Sequence, residues 1–212
     1  MSRSPSASPV RVVLGQNPGL RTGPGTNTYL LGKERLVLID TGAGVPAYDP
    51  LLRAAVTTLG GRLSLILLTH GHSDHMGGLG SVRGMFPDAV ARKFPGEEAV
   101  SAVAPIAAGE LIRHDGITLQ AIHTPGHATD HLCFYWVEER MLFSGDLILG
   151  EGTVVIPRVG GSLADYLDSL ERLRTLDILR INPGHGPVIE KPQAKIAEYL
   201  EHRRMRERQV LD

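Results

Sequence analysis

Apolar residues recur along the chain at two spacings, and the alternation between them lays out the elements. Short β-rich runs at 10–14, 26–31 and 36–39 are separated by clusters of Gly, Pro and Asn. Tyr48, Leu51, Leu52, Ala55, Val56 and Leu59 then fall at helical spacing. The pattern places Asp49 as N-cap, Pro50 at the first helical position and Gly60-Gly61 as the stop. Residues 63–69 form a nearly continuous apolar run, as expected of a strand buried on both faces. Strands follow at 117–122 and 132–137, and Glu138-Glu139-Arg140 turns the second into a strand at 141–144. Ser162 and Asp165 form a capping box that opens a helix with the stripe Leu163, Tyr166, Leu167, Leu170 and Leu173. A strand at 178–181 and a helix from about 193 to 210 close the chain. Strand–helix–strand succession of this kind predicts a layered α/β domain over 10–212, preceded by a Ser/Pro-rich flexible tail at 1–9.

Composition narrows the function classes. The 212 residues carry a formal net charge of −1, which supplies no global field for nucleic acid or an acidic membrane. One cysteine, Cys133, excludes a disulfide framework and a multi-cysteine zinc ribbon. Mid-strand between Leu132 and Phe134, it reads as a small core residue. No apolar run approaches the ~20 residues of a membrane helix, and the N-terminal segment lacks the apolar stretch of a secretory signal. A cytoplasmic protein is expected, with organelle targeting by the short basic tail kept open. Nine histidines against one cysteine mean that any bound metal is held by imidazole and carboxylate.

The sharpest chemical signal is His70-Gly71-His72-Ser73-Asp74-His75, directly after the buried run at 63–69. Ligands of open α/β sheets collect at the carboxyl ends of strands, and four N/O donors within six residues suit a zinc-like ion. Two more histidines, His127 and His185, each follow a strand and a Pro-Gly turn, and Asp146 follows the strand at 141–144 in Ser144-Gly145-Asp146. Together these make seven N/O donors at strand ends, the number needed for two metals sharing a bridge.

This series of motifs, with Leu38-Ile39-Asp40-Thr41-Gly42 ahead of it, resembles that of the metallo-β-lactamase-fold hydrolases over about 10–211. The resemblance implies a four-layer αβ/βα sandwich with its site at one edge. It implies that His70, His72 and His127 hold one zinc and that Asp74, His75 and His185 hold the other. Asp146 would bridge the two, and Asp40 would brace the histidine loop from behind. Two Zn²⁺ per chain are expected, with Mn or Fe also compatible with such donors. A metal-bridging hydroxide, oriented by Asp74, would be the nucleophile.

Gly25-Thr26-Asn27-Thr28-Tyr29-Leu30, the stretch 143–153 and the Arg-rich terminal helix further resemble the lactamase-beta-like branch, which includes a single-stranded-RNA endoribonuclease. Polyketide thioesterases are relatives of that branch. Phosphodiester hydrolysis of single-stranded RNA is thus the leading expectation, although the usual C-terminal winged-helix-like module is absent from a chain that stops at Asp212. The alternative is a thioester hydrolase, of glyoxalase or acyl-thioesterase type. β-Lactam hydrolysis and a non-catalytic metal-stabilised module rank below both. The expected partner is a small-molecule or single-stranded RNA substrate, with no membrane and no double-stranded DNA. Arg203, Arg204, Arg206 and Arg208 are read as a solvated face that reaches phosphates only secondarily. His131 is weighed as a proton donor to the leaving group, and the stretch 154–161 as a loop at the cleft rim.

Overall fold

The computed structural model describes residues 10–96 and 102–211; the tail expected at 1–9 lies outside the described residues. The first sheet begins with antiparallel strands β1 (Val10–Leu14), β2 (Asn27–Leu31) and β3 (Arg35–Ile39). Helix α1 (Tyr48–Leu59) then crosses to β4 (Arg62–Leu68), parallel to β3. Helices α2 (Ser73–Met76) and α3 (Leu79–Met85) lead to β5 (Val90–Lys93), and β6 (Ala104–Pro105) completes the sheet in sequential order. The second sheet is made by β7 (Leu111–His114), β8 (Ile117–His123), β9 (Leu132–Trp136) and β10 (Met141–Gly145), each antiparallel to the one before. Helix α4 (Leu163–Arg174) crosses to β11 (Arg180–Pro183), parallel to β10, and α5 (Pro192–Leu211) ends the described chain.

Three apolar cores separate four layers. The first joins α1 and α3 to one face of the first sheet through Leu30, Leu38, Tyr48, Leu52, Ile66 and Val82. The second lies between the sheets, where Tyr29, Val37, Ile39 and Leu67 meet Leu119, Phe134 and Phe143. The third packs α4 and α5 on the far face of the second sheet through Leu142, Tyr166, Leu170, Ile181, Ile196 and Tyr199. β4 is buried on both faces because it lies mid-sheet between the first two cores, which explains its unbroken apolar run. The expected αβ/βα sandwich is the observed architecture. Among the described residues no helix is long and apolar enough to cross a membrane.

Local differences have physical causes. Helix α1 starts at Tyr48 behind Ala47 rather than behind Asp49. The Asp49 carboxylate instead accepts a hydrogen bond from Ser81 of α3, and it sits in the first turn, where its charge complements the helix dipole. Gly60 ends the helix in the left-handed conformation, as expected. Ser162 caps α4 by accepting the Asp165 N–H at 3.2 Å. The last strand lies two residues beyond the expected 178–181: Ile178 turns back to the Leu176 carbonyl, and pairing with β10 begins at Arg180.

Candidate metal centre

Strands β3 and β4 of one sheet, and β8, β10 and β11 of the other, all end at one edge of the sandwich. Cross-sheet bonds hold that edge together. Thr69 carbonyl accepts the Leu132 N–H at 2.7 Å, Gly184 carbonyl accepts the Asn27 N–H at 2.7 Å, and the Tyr29 hydroxyl donates to Pro183 carbonyl at 2.6 Å. The loops leaving these strands carry every donor expected from the sequence.

The seven donors fall into two groups. His70, His72 and His127 form one, with His72 Nδ1 lying 3.0 Å from His70 Nε2 and 2.9 Å from His127 Nε2. Asp74, His75, Asp146 and His185 form the other. His185 Nε2 lies 3.2 Å from both His75 Nε2 and Asp74 Oδ2. Asp146 stands between the groups. Its Oδ1 is 3.2 Å from His75 Nε2 and 3.3 Å from His185 Nε2, while its Oδ2 is 3.6 Å from His127 Nε2.

Partners behind the rings decide which nitrogens are bare. His75 Nδ1 lies 2.7 Å from Asp40 Oδ2 and His127 Nδ1 lies 2.7 Å from Val155 carbonyl, so each Nδ1 donates backwards and each Nε2 is the ring atom turned inward toward the other donors. Thr69 Oγ1 spends its proton on Asp40, at 2.9 Å from Oδ2, and therefore accepts from His70 Nδ1 at 3.0 Å. His70 Nε2 is left bare in the same way. Asp40 also accepts the Thr69 N–H at 2.8 Å, and it holds a left-handed φ of 60° to do so. The expected brace is thus a buried carboxylate that orients two histidines, one directly and one through Thr69. In the sequence Thr69 shows only as a hydroxyl ending an apolar run, which does not mark it as part of the site.

Imidazole nitrogens and carboxylate oxygens converging within hydrogen-bond distance of one another, in two groups, is the arrangement of a cation site. Asp146 Oδ1, buried with no hydrogen-bond partner among the described residues, points the same way. The residues therefore fit one or two divalent ions. Burial, reinforced by the neighbouring imidazoles, holds His70 well below the usual histidine range, leaving it neutral as a ligand must be. Burial pushes the Asp146 carboxyl up, but His75 and His185 outweigh it and hold it well below the usual carboxylate range. Burial lowers His185 too, yet the carboxylates of Asp146 and Asp74 push it up to about 9.

His131 does not face this centre as a proton donor. It is fully buried, its Nε2 accepts the Asp146 N–H at 3.1 Å, and its Nδ1 lies 2.8 Å from Thr124 Oγ1. It positions the Asp146 loop.

Residues 21–185 match the domain family described as the metallo-beta-lactamase superfamily. The chain belongs to this superfamily. It is 41% identical over 208 residues to the "Beta-lactamase-like protein 2 homolog" of Caenorhabditis elegans, across 94% of this chain and 68% of the relative. It is 39% identical to the "Atrochrysone carboxyl ACP thioesterase nsrC" of Aspergillus novofumigatus, across 94% of this chain and 61% of the relative. The chain thus spans about three fifths to two thirds of the length of these relatives. Among solved structures, TTHA1429 from Thermus thermophilus superposes with TM-score 0.81 at 24% identity, covering 94% of this chain and 81% of that one. TTHA1623, solved in a di-iron-bound form, superposes with TM-score 0.66 at 29% identity, covering 88% of this chain and 95% of that one.

In this metallo-beta-lactamase-fold chain the centre opens into a cleft of about 560 Å³. Leu20, Leu149, Val154, Val155 and Pro157 make an apolar wall, and the rim loop expected at 154–161 supplies part of it. Arg21 is the one Lys or Arg among the described lining residues, which also include Asp74, Asp146 and Glu151. The Arg203 guanidinium is turned back to Val154 carbonyl and lies 5.2 Å over the Tyr166 ring. The side chains of Arg204, Arg206 and Arg208 lie outside the described residues.

Proposed function

We propose that this protein is a binuclear metal-dependent thioester hydrolase. His70, His72 and His127 would hold one ion and Asp74, His75 and His185 the other, with Asp146 placed to serve both; the similarity to a protein solved in a di-iron-bound form supports two ions. Zinc is the proposed metal. When bound, such a pair of ions supplies Lewis-acid polarisation and makes water nucleophilic near neutral pH.

The chain's own residues do the rest. Asp74, partly exposed, lines the cleft, where its carboxylate orients the attacking water. Asp40 and Thr69 keep the histidine rings from turning as charge develops. Water adds to the acyl carbon, the C–S bond breaks, and the products are a carboxylic acid and a thiol.

One observation carries the choice of thioester over phosphodiester: His131, the ring offered as acid for the leaving group, is committed to the Asp146 backbone. A thiol with a pKa of about 8.5 leaves as thiolate without a proton, whereas a departing alkoxide gains far more from one. The similarity to a named thioesterase supports the same choice, as does a cleft with one apolar wall and, among the described lining residues, a single Lys or Arg. The reading therefore moves from the RNA expectation to its alternative. The test offers zinc-loaded protein an acyl N-acetylcysteamine thioester, single-stranded RNA and a chromogenic cephalosporin. Thioester turnover near the ordinary enzymatic range, about 10⁴ M⁻¹s⁻¹ or above in kcat/KM, is expected with inert RNA. RNA cleavage with inert thioester overturns the proposal.

A further inference from the structure

The cavities around the centre have a second limb that the chemistry above leaves unused. It is a pocket of about 280 Å³, and His72 and His127 line both it and the larger cleft, so the two limbs meet at these rings. Lys93 and Asp130 lie on its wall. Both are buried and form an ion pair, the condition under which a lysine is found inside a protein. The Lys93 ammonium also donates to Phe94 carbonyl at 3.0 Å. Of its three N–H groups, the third has no partner among the described residues. The Asp130 carboxylate, for its part, accepts from Lys93 alone among the described residues.

Two glycines keep this pair open to the pocket. A Cβ on Gly71 would lie 3.1 Å from Asp130 Oδ2, and one on Gly96 would lie 3.3 Å from Lys93 Nζ and 3.4 Å from Asp130 Oδ2. Neither glycine has a positive φ, so the backbone does not demand them there. The missing side chains leave room for a small polar group.

Among the described residues, an unused donor lies beside a carboxylate with acceptor capacity to spare, and this matches a group whose single oxygen both accepts and donates. That group is a hydroxyl. Resting on the thioester reading, we propose that the Lys93–Asp130 pair is a specificity site for a hydroxyl on the acyl group of the substrate: an alcohol, enol or phenol a few bonds from the thioester carbonyl. Lys93 donates to the hydroxyl oxygen, and Asp130 accepts its proton in a hydrogen bond. The short reach follows from Gly71, where an added Cβ would lie 3.1 Å from Asp130 Oδ2 and which lies between His70 and His72 in the chain. A site built to bond a hydroxyl discriminates strongly against the analogue lacking it, because its buried polar groups are then left unpaired.

The test pairs 3-hydroxybutyryl with butyryl, and 2-hydroxybenzoyl with benzoyl, as N-acetylcysteamine thioesters of the zinc-loaded protein. Wild type is expected to favour at least one hydroxylated member by tenfold or more in kcat/KM. The ratio should fall toward one in Gly96→Val, which fills the cradle beside the pair without removing a charge. It should fall likewise in Lys93→Met/Asp130→Leu, which removes both charges together and leaves neither buried alone. Calorimetric binding of the matching dethia ketone analogues, in which CH₂ replaces sulfur, reads the same preference without turnover. A hydroxyl preference in binding that Gly96→Val abolishes supports the pocket assignment even where thioesters prove inert, which would defeat the thioester reading alone. Equal binding and a ratio near one in wild type, with thioesters turned over, overturn the assignment and leave the thioester reading standing.

Discussion

Asp146→Ala is expected to remove turnover by roughly a thousandfold or more, the scale on which loss of one preorganised active-site charge registers. The cause lies in its two oxygens, one facing His75 and His185 and the other facing His127. Truncation takes a donor from both groups at once and leaves His75 without one of the two carboxylates that hold its pKa well above the usual histidine range against burial. Metal affinity should fall together with kcat, because the same atoms serve both. Asp146→Asn separates charge from shape: the side-chain volume remains, one oxygen becomes an NH₂ group, and a single-ion form is expected. Activity assays run beside metal analysis of the dialysed proteins check this. An Asp146→Ala protein that keeps two ions and near wild-type kcat would contradict the assignment.

A large expected loss of stability lies one residue from a proposed ligand. Gly126 has φ 135°, and a Cβ there would sit 2.5 Å from Tyr166 Cβ and 2.6 Å from Tyr166 N. Tyr166 is fully buried in the third core, so α4 has to move for the new methyl to fit. Gly126→Ala combines a backbone clash with a left-handed φ, and about 3 kcal/mol or more is expected from the two together. In a domain of this length that corresponds to a fall in Tm of about 10 °C. Gly116→Ala is the control. Its φ is also positive, at 81°, but nothing lies within 4 Å of the added Cβ, so only the strain of about 1 kcal/mol remains. Similar melting temperatures for the two variants would contradict the packing argument. The clash also matters for function, because Gly126 carries His127 into the first donor group and its carbonyl accepts the Ser162 N–H that begins α4.

What the sequence made legible was local. His70 to Asp74, the Pro-Gly turns before His127 and His185, and Gly145-Asp146 could be read because each donor sits within a few residues of a strand with a strong apolar signature. The cores were legible for the same reason, since β4 and the stripe of α4 have unambiguous spacing. The rest depended on partners distant in the chain. Lys93 and Asp130 are ordinary charged residues until β5 and the loop after β8 bring them together. His131 looked like a cleft residue because it follows His127 by four positions, yet its role is fixed by the Asp146 backbone. β5 itself mixes Val, Ala, Arg and Lys, and its edge of charged residues hides the strand pattern. Asp49 met every local rule for an N-cap and was diverted by a serine on another helix.

Whether two donor groups sharing Asp146 hold two ions is tested most directly by one titration. Zinc is added to metal-free protein and followed by calorimetry, with bound metal counted after gel filtration. Two equivalents per chain are predicted for the wild type. Saturation at one equivalent under zinc-replete conditions would contradict the bridged two-ion site and the hydrolytic chemistry built on it.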